Sequence, residues 1–193
     1  MYKAGLAPRC AVSISDIHII MIKFGIKLVE LRNLMEERGD ELTERLKQMG
    51  GMSDIVRKLG SNASSGLTGA KEEIEERRDV FGFNIVPGEV EGGKKVFVIR
   101  VGSMVEIQVE ELVVGDIMVV KAGDLLAADG LVVEANDLKV NESDLTGEED
   151  MVKKSREKNQ YMLARTTVVE GMGKVVITAV GVNCQGNIVM PWP

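Results

Sequence analysis

The sequence predicts an α+β protein, in which short N-terminal helices precede an all-β domain of the distorted jelly-roll or sandwich type. Apolar residues recur at helical spacing before residue 90, whereas after it they come in short runs rich in valine and isoleucine. Glycine and aspartate separate those runs, which is typical of compact all-β domains. Aromatic residues make up only 4% of the chain, so the core must be aliphatic.

Four helices are predicted between residues 26 and 86, the last of them over the charged stretch 71–80. Apolar residues mark the inward faces of the first three: Leu28, Leu31, Leu34, Met35, Leu42, Leu46, Met49, Ile55, Val56 and Leu59. Glycines end the helices, at Gly39, Gly50-Gly51, Gly60 and Phe81-Gly82. Asp40 and Ser53 are predicted to cap the second and third helices. Each helix is short and apolar on one face, so we expect all four to dock on the β domain.

Short apolar runs predict about seven strands after residue 94. The clearest of them cover residues 96–101, 104–109, 117–121, 131–134, 138–140, 165–170 and 174–182. Gly102-Ser103 is predicted to form a two-residue hairpin turn between the first two strands. Gly171-Met172-Gly173 is predicted to turn between the last two. The predicted organisation is an irregular leader (1–25), a helical region (26–86), a linker (87–94) and a β domain (95–190).

Composition excludes several classes of protein. The net charge of −6 argues against binding to nucleic-acid phosphates. Two cysteines and one histidine cannot form a disulfide framework or a four-ligand zinc site. No stretch reaches the roughly 20 apolar residues that a membrane helix requires, and the first residues do not form a secretory signal. We therefore expect a soluble intracellular chain that binds no metal or cofactor itself.

One acidic loop, residues 141–150, stands out as a candidate site, because the chain has no glycine-rich phosphate loop and a Ser-His-Asp triad would depend on the single His18. Gly147 permits a tight turn from which the Glu148 carboxylate projects, and Thr146 offers a hydroxyl. Such a carboxylate can orient a water and accept its proton during hydrolysis. The alternative is a solvated acidic surface turn, which local chemistry alone favours.

Three runs in close order resemble the actuator domain of P-type cation-transporting ATPases. They are Val113-Val-Gly-Asp-Ile117, Gly123-Asp-Leu-Leu-Ala-Ala-Asp-Gly130 and Asn141-Glu-Ser-Asp-Leu-Thr-Gly-Glu148, and residues 173–183 resemble that domain's last strand. Two upstream runs, Leu31-Arg-Asn-Leu-Met-Glu-Glu-Arg-Gly39 and Arg77-Arg-Asp-Val-Phe-Gly-Phe-Asn84, resemble the cytosolic leader of plasma-membrane-type calcium ATPases. The resemblance covers residues 24–189.

The resemblance implies a role in hydrolysing an aspartyl phosphate that the pump forms on a separate phosphorylation domain. Glu148 would position the attacking water, with Thr146 and Gly147 shaping the loop, and the phosphorylation domain would be the partner. ATP, magnesium and the transported calcium would belong to the whole pump, with the actuator on the cytosolic face of a membrane, by resemblance the plasma membrane. The chain by itself is expected to be inactive.

The sequence departs from the family pattern at several positions. Glu149 replaces the usual serine after the glutamate, Asp144 a common serine before Leu145, and Ala127 a usual proline. Added acids should repel a phosphoryl group and slow its hydrolysis. The two membrane helices that usually separate leader and actuator are replaced by residues 87–93. A splice product, a gene-model fragment and a designed fragment all fit this pattern.

Two alternatives to the actuator of a calcium pump stay open. The chain could be a freestanding interaction module that binds an intact pump, in which case adding it in excess should change the pump's turnover. It could also be the actuator of a pump for another cation, because calcium rests on the less distinctive match of the leader and the ion-binding membrane helices are not in this chain.

Overall fold

The computed structural model describes residues 24–86, 93–143 and 151–185. Among the described residues, four short helices precede the strands: α1 (Leu28–Glu36), α2 (Gly39–Gln48), α3 (Gly51–Lys58) and α4 (Lys71–Phe81). The predicted inward faces are confirmed for the first three helices, where most of the named apolar residues are buried and Leu28 and Met49 are partly buried against the core. The fourth helix is also confirmed, and it ends at Gly82 as predicted.

The two predicted side-chain caps are wrong. Helix α2 begins at Gly39 and α3 at Gly51, each with a positive φ (56° and 80°), and neither helix has a side-chain cap. Glycine adopts this backbone conformation without steric cost, so the two helices begin two and three residues earlier than caps at Asp40 and Ser53 would place them. Asp40 therefore lies in the first turn, where its charge favours the helix dipole. Ser53 also lies inside its helix, and its hydroxyl accepts a hydrogen bond from Arg156 (3.0 Å).

The second half of the chain forms one antiparallel sheet, which confirms the α+β class. Its strands are β1 (Lys95–Arg100), β2 (Ser103–Gln108), β3 (Ile117–Lys121), β4 (Asp129–Asn141), β5 (Met151–Lys153), β6 (Tyr161–Met162) and β7 (Thr167–Ala179). The strand order is β2-β1-β3-β7-β4-β5, with β6 also paired to β4. Strands β5 and β6 are too short to be recognised in the sequence, because two or three residues show no period.

The predicted β1–β2 turn is shifted by one residue. Arg100 pairs with Ser103, so the two turn residues are Val101 and Gly102 rather than Gly102 and Ser103. Both have a positive φ (51° and 71°), as a tight two-residue hairpin with the correct strand twist requires. Because valine rarely adopts this conformation, the sequence does not indicate it as a turn residue.

Two predicted breaks in the strands are bulges. The predicted strands 131–134 and 138–140 belong to the single strand β4, and the two predicted after residue 164 belong to β7, so Gly171-Met172-Gly173 does not form a hairpin. Strands β4 and β7 pair along most of their length with irregular register where Asp137 and Gly171 have positive φ. Asp137 of β4 and Gly171 of β7 lie opposite each other at this point. The two strands bend there, and their pairing continues on both sides. The last predicted strand, over residues 174–182, ends earlier than expected. Strand β7 stops at Ala179, and residues 181–183 form a 3-10 turn.

Helices and sheet share one hydrophobic core, so the expected docking of the helices is confirmed. The core runs without interruption from Phe24 through the helices to Val180 and Cys184 at the end of the β region. Cys184 is fully buried, as expected of a small apolar side chain, and burial raises the pKa of its thiol. Cys10 and His18 lie outside the described residues.

Arg77 of α4 joins the helical region to the sheet. Its guanidinium is 1% exposed and donates hydrogen bonds to the carbonyl groups of Leu59 (2.8 Å), Gly60 (3.0 Å) and Val114 (2.9 Å). It also forms an ion pair with Glu73 at 3.1 Å. One buried side chain therefore satisfies carbonyl groups at the end of α3 and in the turn before β3.

Replacing Arg77 with methionine should therefore destabilise the chain strongly. The substitution leaves three buried or half-buried carbonyl groups without donors and Glu73 without its cation, which together cost about 3–5 kcal/mol of the free energy of unfolding. Urea denaturation followed by circular dichroism measures the loss. Arg57→Met is the matched control, since that side chain is 74% exposed and pairs with Asp54 on the surface; a loss as small as the control's would contradict the assigned role.

Candidate functional site

The three predicted catalytic residues, Thr146, Gly147 and Glu148, lie in residues 144–150, outside the described residues. The structure describes both ends of this loop. Strand β4 leads into it and β5 leads out, and the two are paired antiparallel, with Asn141 opposite Met151. The ends of the loop are thus held side by side on neighbouring strands.

The last residues before the loop form a local turn. The side-chain oxygen of Asn141 accepts a hydrogen bond from the backbone N–H of Ser143 at 2.8 Å. This contact between an asparagine and the residue two positions later is the Asx turn, which ends a strand by offering its backbone another hydrogen-bond partner. The Asn141 of the recognised motif therefore has a structural task at the start of the loop.

A buried ion pair joins residues close to the two ends of the loop. Lys154 Nζ is 2.6 Å from Glu142 Oε1, and the lysine and glutamate side chains are 0% and 7% exposed. Side chains alternate along a strand, so Leu138, Val140 and Glu142 all point inward. Glu142 enters the core because the strand period places it there. Lys154 follows β5 and donates its backbone N–H to the carbonyl group of Leu138 at 2.9 Å.

Two further side chains complete this buried cluster. The ring of Tyr161, on β6, lies with its centroid 3.5 Å from Lys154 Nζ, and its hydroxyl donates to Glu142 Oε2 at 3.4 Å. The Arg38 guanidinium also contacts this ring, 4.6 Å from its centroid. Arg38 precedes α2, so the helical region reaches the base of the loop. We name the four residues Glu142, Lys154, Tyr161 and Arg38 the loop-base cluster.

Burial controls the ionisation of the loop-base cluster. It lowers the pKa of Lys154 to about 8, because desolvation of the ammonium outweighs the attraction of Glu142, and the nearby positive charge of Arg38 adds to the decrease. Burial and the neighbouring Glu142 carboxylate raise the pKa of the Tyr161 hydroxyl. The cluster thus contains an amine that can lose its proton at mildly alkaline pH.

Sequence reasoning assigned no role to Glu142, Lys154 or Tyr161. A signal for Glu142 was present, since it continues the inward alternation of Leu138 and Val140 and a buried carboxylate requires a cation. The sequence does not say which cation. Lys153 and Lys154 are adjacent, and only the pairing of β5 with β4 turns Lys154 inward and leaves Lys153 exposed.

The other two recognised runs contain acids that hold turns. Asp116 is fully buried, pairs with Arg100 through contacts of 2.9 and 2.7 Å, and accepts the N–H of Val113 at 3.1 Å. Asp129 is also fully buried and accepts the N–H groups of Ala164 and Gln185. Both carboxylates are occupied in holding neighbouring segments together.

Other contacts also join the helices to the strands around the loop. Thr43 of α2 and Gln160, next to β6, exchange hydrogen bonds of 3.2–3.3 Å. Gln185 donates to Glu36 at the end of α1 at 3.3 Å. Together with Arg38, the Thr43–Gln160 contact brings α2 to the start of β6, and the Gln185–Glu36 contact connects α1 to the end of the β region.

An open groove of about 680 Å³ lies elsewhere, along β1 and β3. Asn84, Lys95, Phe97, Lys121 and Leu125 are among its lining residues, and no member of the loop-base cluster lines it. Asn84 is committed to structure, because its amide donates to the carbonyl groups of Val109 and Ala127. The groove is therefore separate from the candidate site.

Neither a metal centre nor a membrane helix is found in the described part of the chain. Within residues 24–86, 93–143 and 151–185, no three His, Cys, Asp or Glu side chains are grouped so that they could hold a metal ion. In the same ranges, no helix combines the length and the apolar character that crossing a membrane requires.

Comparison with known families gives two matches. The family described as the P-type ATPase actuator domain matches residues 92–189, and the family described as the cation transporter/ATPase N-terminus matches residues 40–98. The two matched segments overlap at residues 92–98, so in this chain the N-terminal match leads directly into the actuator match.

Several individual relatives are plasma membrane calcium-transporting ATPases. The chain is 30% identical to plasma membrane calcium-transporting ATPase 4 of Homo sapiens and 28% identical to plasma membrane calcium-transporting ATPase 2 of Oreochromis mossambicus, over 86% of this chain and 21% and 24% of those proteins. It is 47% identical over 124 residues to plasma membrane calcium-transporting ATPase mca-1 of Caenorhabditis elegans, covering 64% of this chain and 10% of that protein. The chain therefore spans about a quarter or less of the length of these relatives.

The alignment with the human relative also contains positions that this chain lacks. It runs over 263 positions, more than the 193 residues of the whole chain. The excess positions are residues of the relative that have no counterpart here.

The lowered pKa of Lys154 predicts a pH dependence of stability. Below pH 8 the ammonium is charged in both folded and unfolded states. Between pH 8 and the ordinary lysine value of 10.5, the folded state gives up the proton first, so the contribution of this group to the free energy of unfolding rises with pH. Urea denaturation at pH 7.5, 8.5 and 9.5 should show this rise in the wild type relative to the double variant Glu142→Gln/Lys154→Met.

The double variant is the matched control because it retains Cys184 and the exposed lysines, whose titration therefore cancels in the comparison. Equal pH dependence of the two proteins would show that Lys154 keeps its proton throughout this range.

Proposed function

The chain belongs to the P-type ATPases, whose actuator domain it contains, and on that premise we propose that it serves as the actuator of a calcium-transporting pump. Its task would be to bring the loop around Thr146-Gly147-Glu148 to an aspartyl phosphate and promote its hydrolysis. The phosphorylation domain of the pump would be its partner, at the cytosolic face of the plasma membrane. Calcium is proposed because the relatives named above are calcium-transporting ATPases.

The observation that carries this proposal is the arrangement of the loop ends. Strands β4 and β5 hold residues 141 and 151 opposite each other. The buried ion pair of the loop-base cluster also connects the residues that follow the two strands. A loop with adjacent, anchored ends can present a carboxylate to another domain at a low cost in conformational entropy. This arrangement favours a functional loop over the solvated acidic turn that local chemistry alone suggests.

In the proposed reaction, Glu148 acts as a general base. Its carboxylate accepts a proton from a water whose oxygen forms a bond to phosphorus. The bond between phosphorus and the aspartyl oxygen breaks, which releases inorganic phosphate and restores the aspartate carboxylate. Gly147 allows the loop to approach the phosphate closely, and the Thr146 hydroxyl holds the loop by hydrogen bonding. ATP and magnesium would act on the other domains of the pump.

The acids next to Glu148 should weaken this reaction. Asp144 and Glu149 add negative charge beside an anionic phosphoryl group, and like charges repel most strongly where water is excluded. Glu149→Ser, which restores the usual family residue, should therefore speed hydrolysis of the aspartyl phosphate. A pump with this actuator should dephosphorylate more slowly than one with the usual sequence.

The test uses a full-length plasma membrane calcium ATPase in which residues 92–189 of this chain replace the matching actuator segment. Glu148→Gln should leave formation of the phosphoenzyme intact and slow its decay about 10²–10⁴-fold, the usual effect of losing a general base. A chase of ³²P-labelled phosphoenzyme measures the decay. Glu157→Gln, an exposed glutamate in the same domain, is the control and should decay at the parental rate.

Decay that Glu148→Gln does not change would remove Glu148 from the mechanism. The loop would then be a solvated acidic turn. In the chain by itself, Glu148→Gln should change the free energy of unfolding by less than about 0.5 kcal/mol, the usual range for surface substitutions, because its place in a polar loop predicts a side chain with no core contacts to lose.

A further inference from the structure

The groove along β1 and β3 lies where these two paired strands separate. Their pairing ends with Phe97 opposite Val119. In the same register Lys95 would lie opposite Lys121, but the two strands do not form this pair. Both lysines line the groove, and its volume of about 680 Å³ is within the range of ordinary ligand sites. The space between the two strands is therefore large enough for a ligand.

Hydrogen bonding leaves one edge of this groove open. On the β3 side, Lys121 donates its N–H to the Asp124 carboxylate (2.9 Å) and accepts the N–H of Asp124 (3.0 Å), so a tight turn occupies its backbone. On the β1 side, the N–H of Val109 donates to the carbonyl group of Lys94. Because paired and unpaired positions alternate in an antiparallel ladder, the backbone of Lys95 points away from β2 and towards the groove. It has no hydrogen-bond partner among the residues that the structure describes.

The side chains around the groove are mainly cationic and apolar. Among the described lining residues, the charged ones are Lys94, Lys95, Lys121, Arg165 and Asp124. Lys95 already pairs with Glu106 at 2.6 Å. Lys94 and Lys121 are exposed and form no ion pair with any residue that the structure describes. Positive charge is thus concentrated here in a chain whose net charge is −6.

Strand geometry separates the lysines from the aliphatic side chains. Residues two apart on a strand share a face, and so do cross-strand partners, which places Lys95, Phe97 and Lys121 on one face. The Lys121 ammonium accordingly lies 5.7 Å from the centroid of the Phe97 ring. Val96 and Val120, which also line the groove, point to the other face. A strand lying in the groove would therefore meet cations on one face and aliphatic side chains on the other.

We propose that the groove binds an extended acidic segment of a partner protein, in which acidic and apolar residues alternate. The backbone of this segment pairs with the open N–H and C=O of Lys95 by strand addition, its carboxylates face the groove lysines, and its apolar side chains pack against Val96 and Val120. The open backbone favours a peptide over a lipid, because a second extended backbone supplies a donor and an acceptor at the spacing of a strand. This binding site is independent of the role proposed for Glu148.

The first experiment titrates the intact chain with a fluorescently labelled acidic peptide, acetyl-Glu-Val-Glu-Val-Glu-Val-amide. Binding should saturate with a Kd below about 1 mM and should weaken as salt is added, because salt screens exposed charges. The lysine analogue, with Lys at each Glu position, should bind at least about 10-fold more weakly, because it reverses the charge. The same loss is expected when the glutamates are N-methylated, because the residue opposite Lys95 on its face is then a glutamate without an N–H.

Two double variants test the groove itself. Lys94→Glu/Lys121→Glu reverses two exposed charges and should weaken binding of the acidic peptide at least about 10-fold. Lys47→Glu/Lys71→Glu changes the net charge equally at two helix positions that are 70% and 81% exposed and do not line the groove. This matched control should bind as the wild type does. Equal affinities of the two double variants would overturn the proposal, because binding would then follow net charge alone.

The second experiment identifies the edge that the acidic peptide occupies. In ¹H–¹⁵N NMR spectra of the intact chain, the amide of Lys95 should shift on binding, and its hydrogen exchange should slow at least about 10-fold because it gains an acceptor. The outer edge of β2 is the competing position, since β2 ends the described sheet and the amides of Met104 and Glu106 point away from β1. Shifts and protection at Met104 and Glu106 in place of Lys95 would overturn the groove assignment.

An anionic lipid surface is the alternative occupant, and vesicles of phosphatidylserine and phosphatidylcholine are its probe. The wild-type chain should bind the acidic peptide and should not sediment with the vesicles more than Lys94→Glu/Lys121→Glu does. Sedimentation that depends on these lysines, without saturable binding of the peptide, would overturn the proposal in favour of a membrane-facing surface. Absence of saturable peptide binding overturns it whatever the vesicles show.

Discussion

The fold depends on the burial of one guanidinium, that of Arg77. A charge at 1% exposure requires compensating partners, and here three carbonyl groups, Glu73 and the face of Phe24 supply them. Those partners come from the helical region and from the turn before β3, so neither part satisfies Arg77 alone. The helices are consequently part of the folding unit of the sheet.

The same constraint explains a glycine in the recognised Val-Val-Gly-Asp run. Gly115 has a φ of 96°, and a side chain there would begin 2.5 Å from Arg77 Nη1. The next residue, Asp116, holds the turn from its other side through Arg100 and the N–H of Val113. This run therefore packs directly against Arg77. A glycine is needed at 115 because the backbone approaches the guanidinium closely, and the carboxylate of Asp116 is buried because it holds the turn.

The turn that contacts Arg77 is connected to the loop through three paired strands. Strand β3 leaves the turn and pairs with β7, β7 pairs with β4, and β4 carries Glu142 to the loop end. The bulges at Asp137 and Gly171 bend β4 and β7 together without interrupting them. The helical region contacts the residues around β6 through Arg38, which lies between α1 and α2, and through Thr43 of α2. The loop ends are therefore supported by contacts from both halves of the chain.

The sequence by itself determined the class of the fold, the four helices between residues 26 and 86 and the faces that the first three of them bury, because hydrophobic periodicity is a local property. It also indicated the loop at residues 141–150, through glycine and acid chemistry and through resemblance. Only the tertiary structure decided that the predicted breaks at Asp137 and Gly171 lie inside continuous strands as bulges, since that outcome depends on the partner strand. It likewise decided that Lys154 rather than Lys153 meets Glu142, because strand pairing selects which of two adjacent side chains points inward.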